Sequence, residues 1–379
     1  MLDLDFLKPR EKFLLLEIAP KRTSGLLLSV DKEKNIRAEK FWEDFSFKKV
    51  HGDPLKSLRK RQIIVSAHPE FVASIICPVS LERDEANAQK PLNITELEGL
   101  FSQALGRLQS KYRREASLRL EVEELDVVLI GAKAGSFKVD GHMVLNPLGF
   151  HGRTPSAILE LTFTTRQIFD DLKEFFKAQE GFFFTGSPRA ALSILSRLES
   201  LPLNLVLAEN GRSFYFMLDK AAWGHAIKEE KVPWSLGGIF EAISRALALS
   251  PKLTFAVYEK YLEKEMSDNM SNALGRVIKP EKDALLEELK KLNPRGRVYV
   301  HSRAPLSFAF PFRLGRAVMD ELPLETALER LGFRLEFGEW PFAKGEIFMR
   351  LAPFFEFYFD RSGSEINSRL RRRLHWLIQ

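Results

Sequence analysis

The chain is poor in cysteine, in long apolar runs and in clustered histidine, and each shortage removes a class of function. Cys77 is the single cysteine among 379 residues. No disulfide can form within the chain, and no zinc site built on paired cysteines is available, which suits a reducing cytoplasm. No stretch approaches the roughly 20 apolar residues of a membrane-spanning helix. The opening segment, MLDLDFLKPREKFLLLEIA, lacks a signal peptide's basic region and small-residue cleavage site, so no secretory leader is expected. The histidines, His51, His68, His142, His151, His225, His301 and His375, include no i,i+4 pair, and no metal site is expected. GAKAGS (131–136) has two glycines but not the spacing or the Gly-Lys-Ser/Thr ending of a P-loop, and reads as a turn. No Ser/His/Asp or Cys/His grouping stands out for nucleophilic catalysis.

Basic charge is also scarce outside one place. The net charge is +6, and four of those charges fall in 366–379, which holds Arg369, Arg371, Arg372, Arg373 and no acid. The remainder is near neutral, whereas a nucleic-acid binder usually shows a basic face, so no nucleic-acid partner is expected. KSLRKR (56–61) reads as a solvated helix face.

What is present is ample material for cores, with 45% hydrophobic residues and 31 phenylalanines. The length suggests two or three domains. KFLLLEIAPKRTSGLLLSVDKEKNIRAEKFW predicts a three-stranded meander, its first strand near-continuously apolar like a buried strand. QIIVSAHPEFVASIICPVS predicts two further strands. An amphipathic helix follows over 94–109, capped by Asn93 or Thr95, and a second spans 166–177 with Ile168, Leu172, Phe175 and Phe176 on one face. At Leu203 the meander pattern restarts in LNLVLAENGRSFYFMLDK, and helices follow it. RGRVYVHSRAPLSFAFPFRLGRAV predicts a strand, a loop and a short helix, and EIFMRLAPFFEFYF a final helix. Two meanders, each followed by helices, predict a two-lobed α/β protein with an α+β unit between its lobes.

This order resembles the actin-like ATPase superfamily, and within it the bacterial cell-division protein FtsA and its relative, the type IV pilus protein PilM. FLLLEIAPKRTSGLLLSVD sits where that family has its first phosphate hairpin. ITELEGLFSQAL, VLNPLGFHGR with Asn146, Pro147, Gly149 and Gly152, and RQIFDDLKEFF are similar to FtsA's inserted subdomain. VPWSLGG resembles the Gly-Gly step after the second hairpin. The resemblance implies a two-lobed actin-like (ribonuclease H-like) fold. It divides the chain into lobe 1 at 10–61 and 179–202, an inserted subdomain at 62–178, lobe 2 at 203–360, a linker at 361–367 and a terminal helix at 368–379.

It also implies a nucleotide site at Glu17, Thr23, Ser24, Asn210, Gly211, Arg212 and Ser302, and the sequence departs from the family there. Glu17 replaces the family's aspartate, and Ala19 and Pro20 replace its Gly-Thr; Pro20 has no N–H to offer a phosphate. Leu207 stands at the second hairpin's aspartate, and Glu209, Asn210 and Gly211 at its three glycines. VHSRAP (300–305) stands at the adenosine motif. The expectation is a retained fold without hydrolysis and without a cofactor, with Mg·ATP binding short of turnover as the alternative. An ATPase with divergent motifs is the competing reading.

The tail, SRLRRRLHWLIQ, resembles FtsA's membrane-targeting helix. On a helix with about 100° per residue, Ile366, Leu370, Leu374, Leu377 and Ile378 share one arc. Arg369, Arg371 and Arg372 lie opposite, Arg373 flanks the arc and can snorkel, and Trp376 falls outside it. That separation fits a helix lying in an anionic bilayer interface; a solvated stub and a helix docked in a partner's groove are the alternatives. The resulting expectation is a scaffold on the inner face of the cell membrane, in the cytoplasm. It would link FtsZ or other divisome components to lipid, or serve pilus inner-membrane proteins instead, with self-association open.

Overall fold

Strand β1 (Glu11–Ala19) shows how the sequence sets up the first lobe. In an extended strand alternate side chains point to opposite faces. Phe13 and Leu15 enter one core, shared by both lobes. Leu14, Leu16 and Ile18 enter another on the far face. Both faces are covered, which is why Phe13 to Leu16 form an unbroken apolar run. The computed structural model describes residues 10–45, 62–175, 182–221, 224–306, 308–336, 340, 342–360 and 365–370.

β1 pairs antiparallel with β2 (Arg22–Val30), and β2 with β3 (Asn35–Trp42). On its other side β1 pairs in parallel with β4 (Gln62–Ala67). The inserted unit comes next: β5 (Val72–Ser80), α1 (Ile94–Leu120), β6 (Val127–Val139), β7 (His142–Met143) and β8 (Pro155–Thr165). Then come α2 (Arg166–Phe175), β9 (Phe183–Gly186) and α3 (Ser187–Leu198). The second lobe begins with the meander β10 (Leu203–Ala208), β11 (Ser213–Ala221) and β12 (Gly224–Val232). Helices α4 (Leu236–Leu247), α5 (Pro251–Leu262) and α6 (Asp268–Lys291) follow. Last come β13 (Gly296–Ser302), β14 (Phe312–Leu314), β15 (Ala317–Glu321), α7 (Leu324–Leu331), β16 (Arg334–Leu335) and α8 (Lys344–Asp360).

The first sheet has the order β16-β3-β2-β1-β4-β9 and the second β12-β11-β10-β13-β15-β14. In each, a three-stranded antiparallel meander is extended by parallel strands beside its first strand. That repeated 3-2-1-4-5 order is the two-lobed, actin-like duplication of a ribonuclease H-like unit. Helices α3, α7 and α8 lie between the sheets in the shared core. Phe354, fully buried, touches the rings of Phe13, Phe333 and Phe355 there.

The structure redraws several expected boundaries. β4, assigned by sequence to the inserted unit, belongs to the first lobe's sheet, because its apolar residues complete that core. The inserted sheet is the four-stranded β5-β8-β6-β7. The two amphipathic helices do not share a core. Leu97, Phe101 and Leu105 of α1 pack on the inserted sheet, whereas Ile168 and Leu172 of α2 pack into the first lobe. Residues past 321 were assigned to lobe 2, yet β16 pairs with β3 and α8 packs on α3. The helix expected near 312–319 is the hairpin β14–β15, so among the described residues no helix joins β13 to the parallel β15. Phe308, Phe310 and Phe312 cluster in that connection.

The tail departs most from expectation. Residues 365–370 are helical, so 365–367 are helix and not linker, and Ile366 and Leu370 are 2% and 3% exposed within the inserted unit's core. Asn367 accepts from the Ala134 N–H at 2.8 Å and donates to the Ala134 carbonyl at 3.0 Å. Arg369 reaches Glu98 at 3.3 Å and Glu365 at 2.8 Å. Two residues of the arc predicted to meet lipid therefore face protein, because the inserted unit offers an apolar surface nearer than any bilayer. Arg371, Arg372, Arg373, Leu374, Trp376, Leu377 and Ile378 lie outside the described residues.

Candidate functional site

Strand parity aims the site. Glu17 continues the Phe13–Leu15 face and so turns toward the interlobe side. Leu203, Leu205 and Leu207 occupy the matching face of β10. The two hairpins thus bring Glu17 and Leu207 to the interlobe side, where Leu207 is buried in the shared core and the side chains around Glu17 engage one another.

Arg350, on α8, donates to Glu17 at 3.0 Å and to the Ser24 hydroxyl at 2.9 Å, and is held by Glu346 at 2.7 Å. Its guanidinium lies 4.4 Å from the Phe342 ring centroid and 5.2 Å from that of Phe41. Ser24 donates in turn to Glu17 at 3.3 Å. Arg303, beyond β13, reaches the other Glu17 oxygen at 3.5 Å and ties the lobes together. Burial alone would push the Glu17 carboxyl up, but Arg350 and Arg303 outweigh it and hold the group ionised, below its ordinary range. His68 lies 3.9 Å from Glu209 across the cleft. Burial, with Arg303 adding to it, pushes His68 down to about 4. Burial also drives His301 to about 4, against the pull of Glu17. Neither imidazole is charged at neutral pH, so Arg350 and Arg303 are the cations that face Glu17. Burial raises the Glu209 carboxyl.

The other predicted residues are dispersed. Thr23 uses its carbonyl to accept from the Phe45 N–H at 2.6 Å. Asn210 and Gly211 are exposed in the four-residue loop between β10 and β11. That loop is clamped by α4: the Leu236 N–H donates to the Glu209 carbonyl at 2.9 Å, and a Cβ on Gly237 would lie 2.5 Å from the Asn210 carbonyl oxygen. Close backbone approach is why glycine stands there. Arg212 does not offset Glu209; it pairs with Glu121 at 2.8 Å. The Ser302 hydroxyl oxygen is buried without a hydrogen-bond partner among the described residues.

Mg·ATP fits this arrangement poorly. The first hairpin turns through two residues, Pro20 and Lys21, and one of them has no N–H. Leu207 places a buried apolar group where a metal-holding carboxylate is needed. The Glu17 carboxylate is already paired with Arg350 and Arg303.

Beside the cluster lies a cavity of about 870 Å³, lined in part by Ile18, Glu121, Arg166, Gly211, Arg212 and Lys231. Glu121 closes α1 in the left-handed region, φ 57°, and pairs with both Arg212 and Lys231, joining the inserted unit to lobe 2. Glu229, on β12 where that strand lies against β5, is pushed up to about 7 by burial, with Arg119 and Lys231 pulling the other way. A carboxyl whose folded pKa exceeds its unfolded value makes the fold less stable as pH rises between the two, here from about 4.5 to 7. Glu229→Gln is expected to remove that slope and to stabilise the protein by about 2–3 kcal/mol at pH 8 while changing little at pH 4. Urea unfolding at the two pH values checks this.

Sequence reasoning missed Arg350, Arg303, Glu346, His68 and His301. One signal was available: Arg350 is the only base in the apolar run EIFMRLAPFFEFYF, and it stands four residues after Glu346.

No protein-family model matches the chain, and no curated protein matches it. Among solved structures it is similar to the PilM–PilN type IV pilus biogenesis complex, at 13% identity and a TM-score of 0.49, over 97% of this chain and 99% of that one. It is also similar to a ROK family protein from Streptococcus pneumoniae, at 8% identity and a TM-score of 0.39, over 92% and 99% of the two chains. The ethanolamine utilization protein EutJ from Carboxydothermus hydrogenoformans is similar at 12% identity and a TM-score of 0.33, over 90% and 89%. The strand order described above is what assigns the fold.

Proposed function

We propose that the protein is a non-hydrolysing, actin-fold adaptor that binds protein partners at the inner face of a membrane. The observation that carries the reading is the Glu17–Arg350–Arg303 cluster, which commits the carboxylate at the end of β1 to two guanidiniums of the protein itself. A fold that has given its phosphate cleft to an internal ion-pair network keeps its surfaces for binding. The resemblance to FtsA and PilM in the hairpins and inserted unit supports an adaptor over a kinase-like transferase. Attachment to the membrane rests on Arg371, Arg372, Arg373, Leu374, Trp376, Leu377 and Ile378. FtsZ or divisome components, or pilus inner-membrane proteins, are the candidate partners.

Millimolar Mg·ATP is expected to leave the thermal midpoint unchanged and to release no phosphate above a blank. A site with micromolar affinity would stabilise the fold by about 4 kcal/mol at that concentration. Steady-state turnover abolished by Glu17→Gln would overturn the reading. Affinity recovery of partners from native cells, with and without residues 371–379, distinguishes the division from the pilus role.

A further inference from the structure

The inserted unit carries an apolar tip that no core uses. Leu145 is fully exposed at 102%, Met143 is 67% exposed and Phe150 48%. The loop that bears them is fixed. The Val144 N–H donates to the Phe137 carbonyl at 3.0 Å, the Leu148 N–H to the Asn146 side chain at 3.1 Å, and the Gly149 N–H to the Leu92 carbonyl at 2.9 Å. The Leu92 N–H returns a bond to the Phe150 carbonyl at 2.8 Å. Val144 and Leu148 turn inward onto the unit's core. The outer side chains are therefore held in water by a set backbone, at a cost that points to a ligand surface. HMVLNPLGFH (142–151) contains no acid and is flanked by half-buried Lys138 and exposed Arg153. The nearby Asp140 carboxylate accepts from the Arg153 and Thr154 N–H groups, and Glu85 lies 3.9 Å from Arg153.

The tail leaves the same unit close by. Arg369 pairs with Glu98, one turn into α1, and the residues just before α1 are those bonded to the tip. Docking of Ile366 and Leu370 in protein leaves the tail only Leu374, Trp376, Leu377 and Ile378 as large apolar groups. Interfacial binding scales with the apolar area buried and with attraction to anionic lipid, so a further apolar contact would strengthen attachment.

We propose that Met143, Leu145 and Phe150 form a second membrane contact, entering the headgroup–acyl boundary of an anionic bilayer beside the arginine-rich tail. This rests on the reading of the tail as a membrane-binding segment. The occupant is a bilayer because the three side chains are exposed on a loop, no carboxylate lies among them, and the described start of the tail, held by Arg369 to Glu98, leads in sequence into three further arginines suited to anionic lipid.

The test is co-sedimentation of the full chain with vesicles of phosphatidylglycerol and phosphatidylethanolamine. Leu145→Glu is expected to weaken binding at least tenfold with an unchanged thermal midpoint, Leu145→Trp to bind at least as tightly as the parent, and deletion of 371–379 to abolish binding. A dye on Leu145→Cys, selective because Cys77 is buried, should report an apolar environment only with vesicles. If the deletion abolishes binding but Leu145→Glu binds like the parent, the tip contact is overturned and the tail reading stands. If Leu145→Glu alone abolishes binding, the tip stands and the tail reading falls. A parent that binds no vesicles overturns both. If Leu145→Glu keeps vesicle binding but loses a protein partner recovered by the parent, the tip is a protein-docking surface and the membrane assignment is overturned.

Discussion

Arg350→Ala is expected to destabilise the protein by about 3–5 kcal/mol, the range for breaking a buried ion pair by removing one partner. Arg350 is 7% exposed and makes contacts to Glu17, Glu346 and Ser24 while stacked on Phe41 and Phe342. Its loss leaves Glu17 with Arg303 alone in a partly desolvated cleft. Burial then dominates and the Glu17 carboxyl rises. The sign with pH follows. In the parent the Glu17 pKa is depressed, so its contribution is present above the unfolded value near 4.5 and is lost as pH falls through the folded value. The penalty of Arg350→Ala should therefore shrink toward pH 4. Glu17→Gln with Arg350→Met, which removes both charges and keeps the volume, should recover much of the loss. Urea unfolding of the three variants checks this; a cost under about 1 kcal/mol for Arg350→Ala would show that the cluster is a solvated surface feature.

Leu370→Asp is expected to release the tail from the inserted unit in the absence of any lipid. The substitution places a charge among Leu97, Phe101 and their neighbours, and a core leucine contributes about 2–5 kcal/mol when replaced even by alanine. The segment is terminal, so the penalty stops growing once it undocks, and the readout is local. Tryptic cleavage after Arg369 should accelerate at least tenfold, roughly the effect of 1.4 kcal/mol in an opening equilibrium. Asn367→Ala should act in the same direction, because it unpairs the Ala134 N–H and carbonyl. Equal cleavage rates in parent and Leu370→Asp would mean that the docked helix contributes nothing to holding the tail.

Much of the fold was legible because local pattern and buried face agree. The run FLLLEIA is apolar on both strand faces, and the restart at Leu203 repeats it, so two meanders could be read directly. Asn93 caps α1 as its position suggests, accepting from the Glu96 N–H at 2.9 Å. The erosion of the hairpins was legible too, since Pro20 lacks an N–H wherever it is placed. The β14–β15 hairpin was read as a helix because LGRAV suits either state and only its pairing partners decide.

By itself, then, the sequence determined the paired lobes, the inserted unit, the loss of a Gly-rich phosphate cradle and the concentration of basic charge in the tail. Each of these is set by residue types within a few positions of one another. Only the tertiary structure decided what fills the cleft and where the tail lies. Arg350 reaches Glu17 from a helix near the other end of the chain, and Ile366 and Leu370 join Leu97 and Phe101 in the inserted unit's core. Periodicity shows which residues share a face, but an apolar arc is equally satisfied by lipid, a partner or its own protein. The choice among them depends on which surface the fold brings within reach, and that is a long-range property of the packed chain.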